Sequence, residues 1–281
     1  MTNLRGQRAL VTGASGFIGT HLARRLADMG AELVCLDLKP PREELPGALY
    51  VRDDVRRLSA LSLPKIDRIY NLAAVHTTPG HPDHEYYDTN VWGALEAVKL
   101  AERDNVQHIT FTSSISIYGP SEERKVETSD PAPVSAYGKS KLMAEEIHRG
   151  WLRQAGGRKL TIVRPAFASA EHDGAKDSTY ELLNGAYPEC PTLETIVTSL
   201  RDSYFPSAKL YDVPQGVVMG AAKTLATFKG FGLGIHPDRV TKLVRSTYVY
   251  PGWATENGLL GDQAFRKGLE RWARATNQSF V

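Results

Sequence analysis

The segment from residue 9 to residue 37 limits most narrowly the folds open to this chain. The apolar run Ala9 to Val11 leads into a G-x-x-G-x-x-G spacing, after which apolar residues recur at helical intervals. A second apolar run, Leu33 to Leu36, ends at the acid Asp37. This order predicts a buried strand, a tight turn, a helix and a second buried strand. The three glycines are Gly13, Gly16 and Gly19.

Each part of this βαβ unit suits a phosphate-bearing ligand. A glycine at a strand end lets a phosphate approach the backbone, and the next helix offers free N–H groups and a positive dipole end. Asp37 is placed to accept hydrogen bonds from a ribose. The alternative is an ordinary crossover whose glycines serve packing only. We therefore expect a dinucleotide site formed by Gly13, Ser15, Gly16, Phe17, Ile18, Gly19 and Asp37.

The acid at position 37 also selects between the two nicotinamide dinucleotides. A carboxylate there repels a 2′-phosphate, so the sequence favours NAD over NADP. Nearby cations keep NADP open as the alternative. They are Arg24, Arg25, Lys39 and Arg42.

Composition indicates a globular α/β protein without a nucleic-acid or membrane partner. The 281 residues are 42% hydrophobic and 23% charged, and the net charge is +2. Residues 1–6 are polar, which predicts no secretory signal, and no apolar run is long enough to span a bilayer. Cys35 and Cys190 show no disulfide or zinc spacing, which favours a reducing, cytoplasmic location. Cys35 is expected in the core.

Two further strand ends carry residues suited to the same ligand. Residues 49–51 read as a third strand, and the acid and apolar residue beyond it, Asp54 and Val55, are expected to bond and cover an adenine ring. A solvated charged turn is the alternative there. Residues 68–72 read as a fourth strand, whose small following residues would let a dinucleotide lie close. The residues concerned are Leu72, Ala73 and Ala74.

The segment after the fourth strand holds several histidines. His76, His81 and His84 lie among prolines and lack regularly spaced carboxylates, so we expect a loop with His76 facing substrate, and no metal. A helix is predicted over residues 87–103. Asn90, an indifferent helix former near its start, is expected to hold neighbouring backbone at the cofactor site.

A tyrosine and a lysine four residues apart give the clearest catalytic pattern. The fifth strand, residues 108–112, delivers Ser114 to the edge of the sheet where α/β proteins bind ligands. Tyr137 opens a helix that also carries Lys141, so both lie on one helix face. The ammonium should lower the pKa of the phenol and let it exchange a proton with a substrate hydroxyl. A surface pair without function is the alternative.

Together these motifs resemble an extended short-chain dehydrogenase/reductase of the NAD-dependent sugar-nucleotide epimerase/dehydratase family. The matching segments are TGASGFIG (residues 12–19), Asp37, Asp54-Val55, NLAA (71–74), Asn90, TSSISIYG (112–119), YGKSK (137–141) and Arg164-Pro165. The resemblance implies a Rossmann-type doubly wound parallel sheet with bound NAD. It also implies Ser114, Tyr137 and Lys141 as the catalytic set, and Thr112 and Pro165 as further cofactor contacts.

Two departures from that family bear on activity. The Asp-Glu pair of its dehydratases corresponds here to Ile115 and Ser116, so dehydration is not expected. Phe167 replaces an asparagine of many relatives, and residues 169–201 look shortened. We expect residues 1–165 to form the NAD-binding domain and residues 166–281 a reduced, interleaved substrate lobe. Its substrate contacts would include His76, Ser114, Ser116, Phe167 and Arg245.

The second half of the chain shows weaker patterns. They predict a strand over residues 180–186, a helix over 193–200 capped by Thr192, and a helix over 214–229 that forms core, a membrane contact or a dimer contact. Residues 228–236 read as a linker or a phosphate contact, and residues 263–274 as a last helix. The polar segment 120–133 reads as a loop.

Three functions remain open from the sequence. The first is an NAD-dependent epimerase acting at C4 of a nucleotide-sugar through a 4-keto intermediate. The others are a reductase or dehydrogenase of a 4-keto sugar or a steroid-like alcohol, and a sensor that binds NAD without turnover. Family resemblance also implies a homodimer.

Overall fold

The structure is a computed structural model that describes residues 4–77, 80–166, 180–214, 216–221, 247–261 and 263–275. Four predicted features lie wholly or mostly outside these ranges: Phe167, Arg245, the segment 228–236 and most of the helix predicted over residues 214–229. Residues 216–221 are helical, as predicted.

Seven parallel strands form the central sheet. They are β1 (Arg8–Thr12), β2 (Glu32–Asp37), β3 (Leu49–Arg52), β4 (Arg68–Asn71), β5 (His108–Thr112), β7 (Lys159–Pro165) and β8 (Tyr180–Gly185). Their order is β3-β2-β1-β4-β5-β7-β8, and every neighbouring pair is parallel. The chain leaves β1 in one direction to form β2 and β3, and returns to the other side with β4. Ligands of such sheets bind at this reversal. The predicted doubly wound fold is confirmed.

Besides residues 216–221, the described helices are α1 (Phe17–Asp28), α2 (Asp83–Tyr86), α3 (Trp92–Asp104), α4 (Ala136–Arg153), α5 (Leu193–Tyr204), α6 (Gly252–Glu256) and α7 (Ala264–Ala275). α1 packs on one face of the central sheet, and α3 and α4 pack on the other. A π-helical turn, Tyr87–Val91, joins α2 to α3, so the helix predicted over residues 87–103 starts earlier than expected. Thr192 caps α5 by accepting a hydrogen bond from the Thr195 N–H, as predicted.

Strand alternation divides the core into two layers. On one face Leu10, Ile69 and Ile109 pack with α3 and α4 residues such as Leu100 and Trp151. On the other face Ala9, Val11 and Cys35 pack with Ala23 and Leu26 of α1. Cys35 is thus a core residue, and burial raises the pKa of its thiol to about 11. Both faces of β1 are apolar because helices cover the parallel sheet on either side.

The segment 120–133 is not a loop throughout. Ser121–Lys125 forms a strand, β6, which pairs with β9 (Thr247–Val249) in a second, two-stranded sheet. The prediction was wrong here because the five residues are Ser, Glu, Glu, Arg and Lys, with no apolar alternation to mark a strand. Their partner lies more than 100 residues away in sequence, so the pairing is tertiary in origin.

Candidate active site

The glycine turn after β1 brings three pieces of backbone together. Gly13 has a φ of +72°, and a Cβ on it would stand 2.8 Å from the backbone nitrogen of Ala73. A Cβ on Gly19 would overlap the Gly13 carbonyl oxygen. Gly16 is the N-cap of α1 and has no side chain to cap the helix, so no N-cap side chain occupies the N–H groups of the first helical turn. The turn is therefore a close-packed cradle at a helix N-terminus.

Asp37 lies at the end of β2 and is bound to this turn. Its Oδ2 accepts from the Ser15 N–H at 3.0 Å, and its Oδ1 accepts from the Lys39 N–H at 2.9 Å. The Ser15 hydroxyl donates to the Lys39 carbonyl at 3.0 Å, and Arg42 donates from Nε to the Ser15 carbonyl at 3.1 Å. The carboxylate and the glycine turn thus stand beside each other, as the sequence predicts.

Asp54 and Val55 follow β3 and lie in less open positions. Asp54 accepts from the Arg56 N–H at 2.9 Å and pairs with the Arg56 guanidinium at 2.6 Å, which lowers the pKa of this carboxyl. Val55 is 5% exposed and packs in the core beside Gly93. The structure brings both to the end of the sheet, but leaves little Val55 surface for an adenine ring.

A buried hydrogen-bond chain fixes the backbone after β4. The Thr12 hydroxyl accepts from the N–H groups of Leu72 at 3.1 Å and Ala73 at 3.2 Å, and donates to Asn71 Oδ1 at 2.8 Å. Asn71 Nδ2 lies 3.4 Å from Nε2 of His148 on α4. This chain links β1, β4 and α4, and it places the backbone of Leu72 and Ala73 against Gly13.

Asn90 holds neighbouring backbone, as predicted. Its side chain accepts from the Val75 N–H at 2.9 Å and donates to the Val75 carbonyl at 3.1 Å. Its Nδ2 also donates to the Ser140 hydroxyl at 2.9 Å, which in turn donates to the Tyr137 carbonyl at 2.8 Å. One amide in the π-helical turn therefore joins the loop after β4 to the first turn of α4.

The hydroxyl of Ser114 lies at the carboxyl end of β5. It caps a 3₁₀ turn, Ile115–Ile117, by accepting from the Ser116 N–H at 3.1 Å. Ser135 caps α4 in the same way, with Gly138 as donor. A Cβ on Gly138 would stand 2.5 Å from the Ser116 carbonyl oxygen, so the glycine lets α4 begin against the 3₁₀ turn.

Tyr137 and Lys141 lie in a drier environment than the sequence suggests. Burial raises the pKa of Tyr137, and a hydrogen bond with Ser114 acts in the opposite direction. The expectation of a lowered phenol pKa is corrected here, because desolvation of the phenolate is the larger effect. Lys141 is 2% exposed, and burial lowers the pKa of its amine to about 7. At neutral pH, therefore, only part of the protein carries Lys141 in the charged form that would favour the phenolate.

A buried ion pair supports α4 one turn beyond Lys141. Glu145 receives two hydrogen bonds from Arg164 of β7, Nε to Oε1 at 2.9 Å and Nη2 to Oε2 at 2.7 Å. Arg149 adds a third at 2.9 Å, and Arg164 also donates to the Tyr118 hydroxyl at 2.7 Å. Tyr118 in turn donates to Oδ1 of Asn184 on β8 at 2.9 Å.

The remaining predicted residues are placed less closely together. Thr112 and Pro165 end β5 and β7, and Ser116 is half-buried in the 3₁₀ turn. His76 is exposed in the loop after β4.

Within the described ranges, no cluster of three or more His, Cys, Asp or Glu residues is arranged to hold a metal ion. No helix in the described part of the chain has the length and apolarity to cross a membrane.

Sequence reasoning missed four supporting residues. Thr12 and Asn71 carried no separate signal, because polar residues at the ends of buried strands are easily assigned to the strand. Phe111, whose ring centroid lies 4.3 Å from that of His148, was predicted only as part of the fifth strand. The glycine after Tyr137 was quoted only as part of a motif. A glycine next to a predicted catalytic residue is the signal that could have revealed the close approach at Gly138.

Curated proteins resemble about three-fifths of the chain. The N-acetyl-alpha-D-glucosaminyl-diphospho-ditrans,octacis-undecaprenol 4-epimerase of Escherichia coli O157:H7 is 35% identical over 178 residues, covering 62% of this chain and 52% of that protein. The UDP-glucose 4-epimerase of Lactobacillus helveticus is 30% identical over 179 residues, covering 60% of this chain and 54% of that protein. The chain therefore spans about half the length of these curated relatives.

A solved structure of a 4-epimerase also resembles about half of this chain. The crystal structure of UDP-glucose 4-epimerase from Brucella ovis in complex with NAD superposes with a TM-score of 0.51 and 27% identity, covering 57% of this chain and 52% of that chain. A family model described as the NAD dependent epimerase/dehydratase family matches residues 9–184, more than half of the sequence. This matched stretch contains the glycine turn, Ser114, Tyr137 and Lys141. The chain belongs to the NAD-dependent epimerase/dehydratase family.

Proposed function

We propose that the chain binds NAD across the glycine turn and acts on a nucleotide-sugar. The fit rests on the cradle itself: Cβ atoms at Gly13 and Gly19 would fill the space beside Ala73 and the turn. The uncapped N-terminus of α1 suits a pyrophosphate, and Asp37 stands where its carboxylate would accept hydrogen bonds from the hydroxyls of a ribose. NAD bound there would supply the acceptor and donor of a hydride.

The reaction we propose is epimerisation at C4 through a transient 4-keto sugar. The observation that carries it is the placement of three side chains: Ser114 at the carboxyl end of β5, Tyr137 at the start of α4, and Lys141 one turn along that helix. The Ser114 hydroxyl acts to lower the pKa of Tyr137, against the effect of burial. Tyr137 accepts the proton of the C4 hydroxyl as that carbon is oxidised, and returns it when the carbon is reduced. Ser114 donates a hydrogen bond to the same oxygen, and the charged form of Lys141 favours the phenolate.

Residues beside Ser114 favour this reaction over dehydration. The 3₁₀ turn carries Ile115 and Ser116, neither of which offers a carboxyl group to remove or deliver a proton at a neighbouring carbon. Both relatives quoted above are named as 4-epimerases.

The first experiment measures the cofactor and the turnover together. We expect denaturing mass spectrometry of the purified chain to release NAD, and the chain to interconvert UDP-galactose and UDP-glucose, or their N-acetyl analogues, without added cofactor. Deuterium placed at C4 should remain at C4 of the product. Tyr137→Phe should slow turnover by about 10²–10⁴-fold while retaining NAD.

Other outcomes would replace the proposal. A requirement for stoichiometric NADH or NADPH would identify a reductase. Retained NAD with no turnover of any nucleotide-sugar, and no effect of Tyr137→Phe, would identify a sensor. Loss of the C4 deuterium to solvent would contradict hydride return to that carbon.

We also propose that two copies associate through α3 and α4. Both helices expose large apolar side chains, with Trp92 and Met143 each 49% exposed. Light scattering should give a mass of two chains, and Met143→Glu should shift it toward one. A single-chain mass at micromolar concentration would overturn this.

A further inference from the structure

The side chain of Lys141 is almost wholly buried, being 2% exposed, and its amine makes no hydrogen bond to the part of the chain that the structure describes. The contact that the structure does give this atom is aromatic: Nζ lies 4.2 Å from the centroid of the Phe111 ring. A charged amine here stands over the face of the Phe111 ring.

Phe111 is itself held in place from the other elements of the site. It lies on β5, where it pairs with Asn71 of β4 and Ile162 of β7, and it is 2% exposed. The ring stacks on His148 with centroids 4.3 Å apart and planes 18° from parallel. His148 donates from Nδ1 to the Ala144 carbonyl at 2.7 Å, which leaves Nε2 to accept from Asn71.

Burial removes water from the ammonium and so disfavours its charged form. Another favourable interaction must offset that loss if the lysine is to act as a cation. The charged and titratable groups around it are Tyr137, Glu145 and His148 on its own helix, with Arg164 reaching Glu145 from β7. Glu145 favours the charged amine, but its two oxygens are already shared by Arg164 and Arg149. The negative face of an aromatic ring attracts a cation most strongly where water is excluded.

We propose that Phe111 is a positioning residue that favours the cationic form of the Lys141 amine, with His148 and Asn71 holding its ring in place. This inference rests on the role proposed above for Lys141 in assisting Tyr137. Phe111 itself touches neither the substrate nor the phenol in this account. Its contribution is the charge state of its neighbour.

The test is a direct titration of Lys141 in the full ligand-free chain. Lysine labelled with ¹³C at Cε reports the amine by NMR, and the Lys141 signal is assigned by its loss in Lys141→Arg. In Phe111→Leu, the pKa of Lys141 should fall by about one pH unit below its wild-type value. The sign is diagnostic, because water entering a loosened core would raise the pKa instead.

Phe111→Leu changes the shape of the side chain as well as removing the ring. A series of fluorinated phenylalanines separates these two effects. Mono-, di- and trifluorinated phenylalanine at position 111 keep the ring's shape and weaken the negative face step by step, so the Lys141 pKa should fall stepwise. Ile109→Val, a truncation in the same core and on the same strand, should leave it unchanged.

An unchanged or raised Lys141 pKa across the fluorinated series would overturn the proposal. Since the titration needs neither NAD nor substrate, this result is independent of whether the chain proves to be an epimerase. If it is one, the alkaline limb of its kcat profile should move to lower pH by the same amount in Phe111→Leu.

Discussion

Gly138 lies so close to Ser116 that a Cβ on the glycine would stand 2.5 Å from the serine's carbonyl oxygen. The obstructing atom belongs to the backbone of a 3₁₀ turn and cannot rotate away. This contact sets how near the first turn of α4 comes to the end of β5. The approach of Tyr137, the residue before Gly138, to Ser114 at the start of that turn depends on this distance.

Gly138→Ala should therefore damage the site. We expect the free energy of unfolding to fall by about 1–3 kcal/mol, since the methyl group must push α4 from the turn. Turnover should fall further than stability alone explains. Gly150→Ala on the same helix is the control: nothing lies within 4 Å of its added Cβ, so it should gain up to about 1 kcal/mol. Urea denaturation measures both, and equal stability of the two variants would refute the contact.

Gly13→Ala should weaken NAD binding. Residue 13 combines a φ of +72° with a Cβ position 2.8 Å from the Ala73 nitrogen, so the substitution adds both strain and a clash in the cradle. We expect the dissociation constant for NAD to rise by tenfold or more, on the order of 1.4 kcal/mol. Gly47→Ala, with a φ of +78° and open space around it, carries the strain alone. Calorimetric titration should show unchanged NAD affinity for Gly47→Ala.

The glycine unit and the strands were predictable because their signals are local. Alternating or continuous apolar runs mark β1, β2 and β5, and the turn needs glycines at fixed positions. Tyr137 and Lys141 were equally visible, since a helix of known period puts them on one face. What such patterns report is the conformation of a few consecutive residues.

The features that escaped prediction depend on partners far away in the chain. β6 is a strand only because β9 lies beside it. The Tyr137 pKa is raised because neighbouring elements exclude water, and sequence spacing carries no information about that exclusion. The prediction that Lys141 lowers the pKa of the phenol likewise assumed a fully charged amine, whereas burial lowers the pKa of that amine to about 7.

Lys141→Met should stabilise the chain while abolishing turnover. The wild-type amine has a folded pKa of about 7 against an ordinary 10.5, so the unfolded chain binds more protons between these values. Stability of the wild type therefore rises with pH across that window. The variant's advantage, a few kcal/mol, should be full at or below pH 7 and vanish near pH 10.5. Lys99→Met, at a half-exposed ion pair, should show no such gain.

The buried pair Glu145–Arg164 should show strong coupling. Glu145→Met alone leaves the Arg164 guanidinium buried without its main partner and should cost about 3–5 kcal/mol. The double variant with Arg164→Met should cost less than the sum of the two single changes by at least about 1 kcal/mol. The exposed pair Arg266–Glu270 on α7 should show coupling under about 0.5 kcal/mol. Additive costs at the buried pair would contradict its geometry.

Two buried histidines should make the chain sensitive to mild acid. Burial lowers the pKa of both His148 and His108 to about 4, so between pH 6.5 and 4 the unfolded chain binds protons that the folded chain does not. Stability should fall with decreasing pH across this window, by about 1.4 kcal/mol per pH unit for each proton. His148→Gln should flatten the slope by about one proton. His84→Gln, at an exposed site, should leave the slope unchanged.

β8, at the edge of the central sheet, is held by hydrogen bonds to the side chains of Tyr118 and Glu127. Both residues precede β7 in sequence, so neither belongs to the connection between β7 and β8. Asn184 pairs with Arg164 across the sheet, accepts the Tyr118 hydroxyl, and donates its N–H to Glu127 at 2.9 Å. These contacts fix where β8 lies relative to Tyr118 and Glu127 through groups outside the connection from β7. A variant shortened or lengthened between β7 and β8 should therefore keep the edge of the central sheet in place.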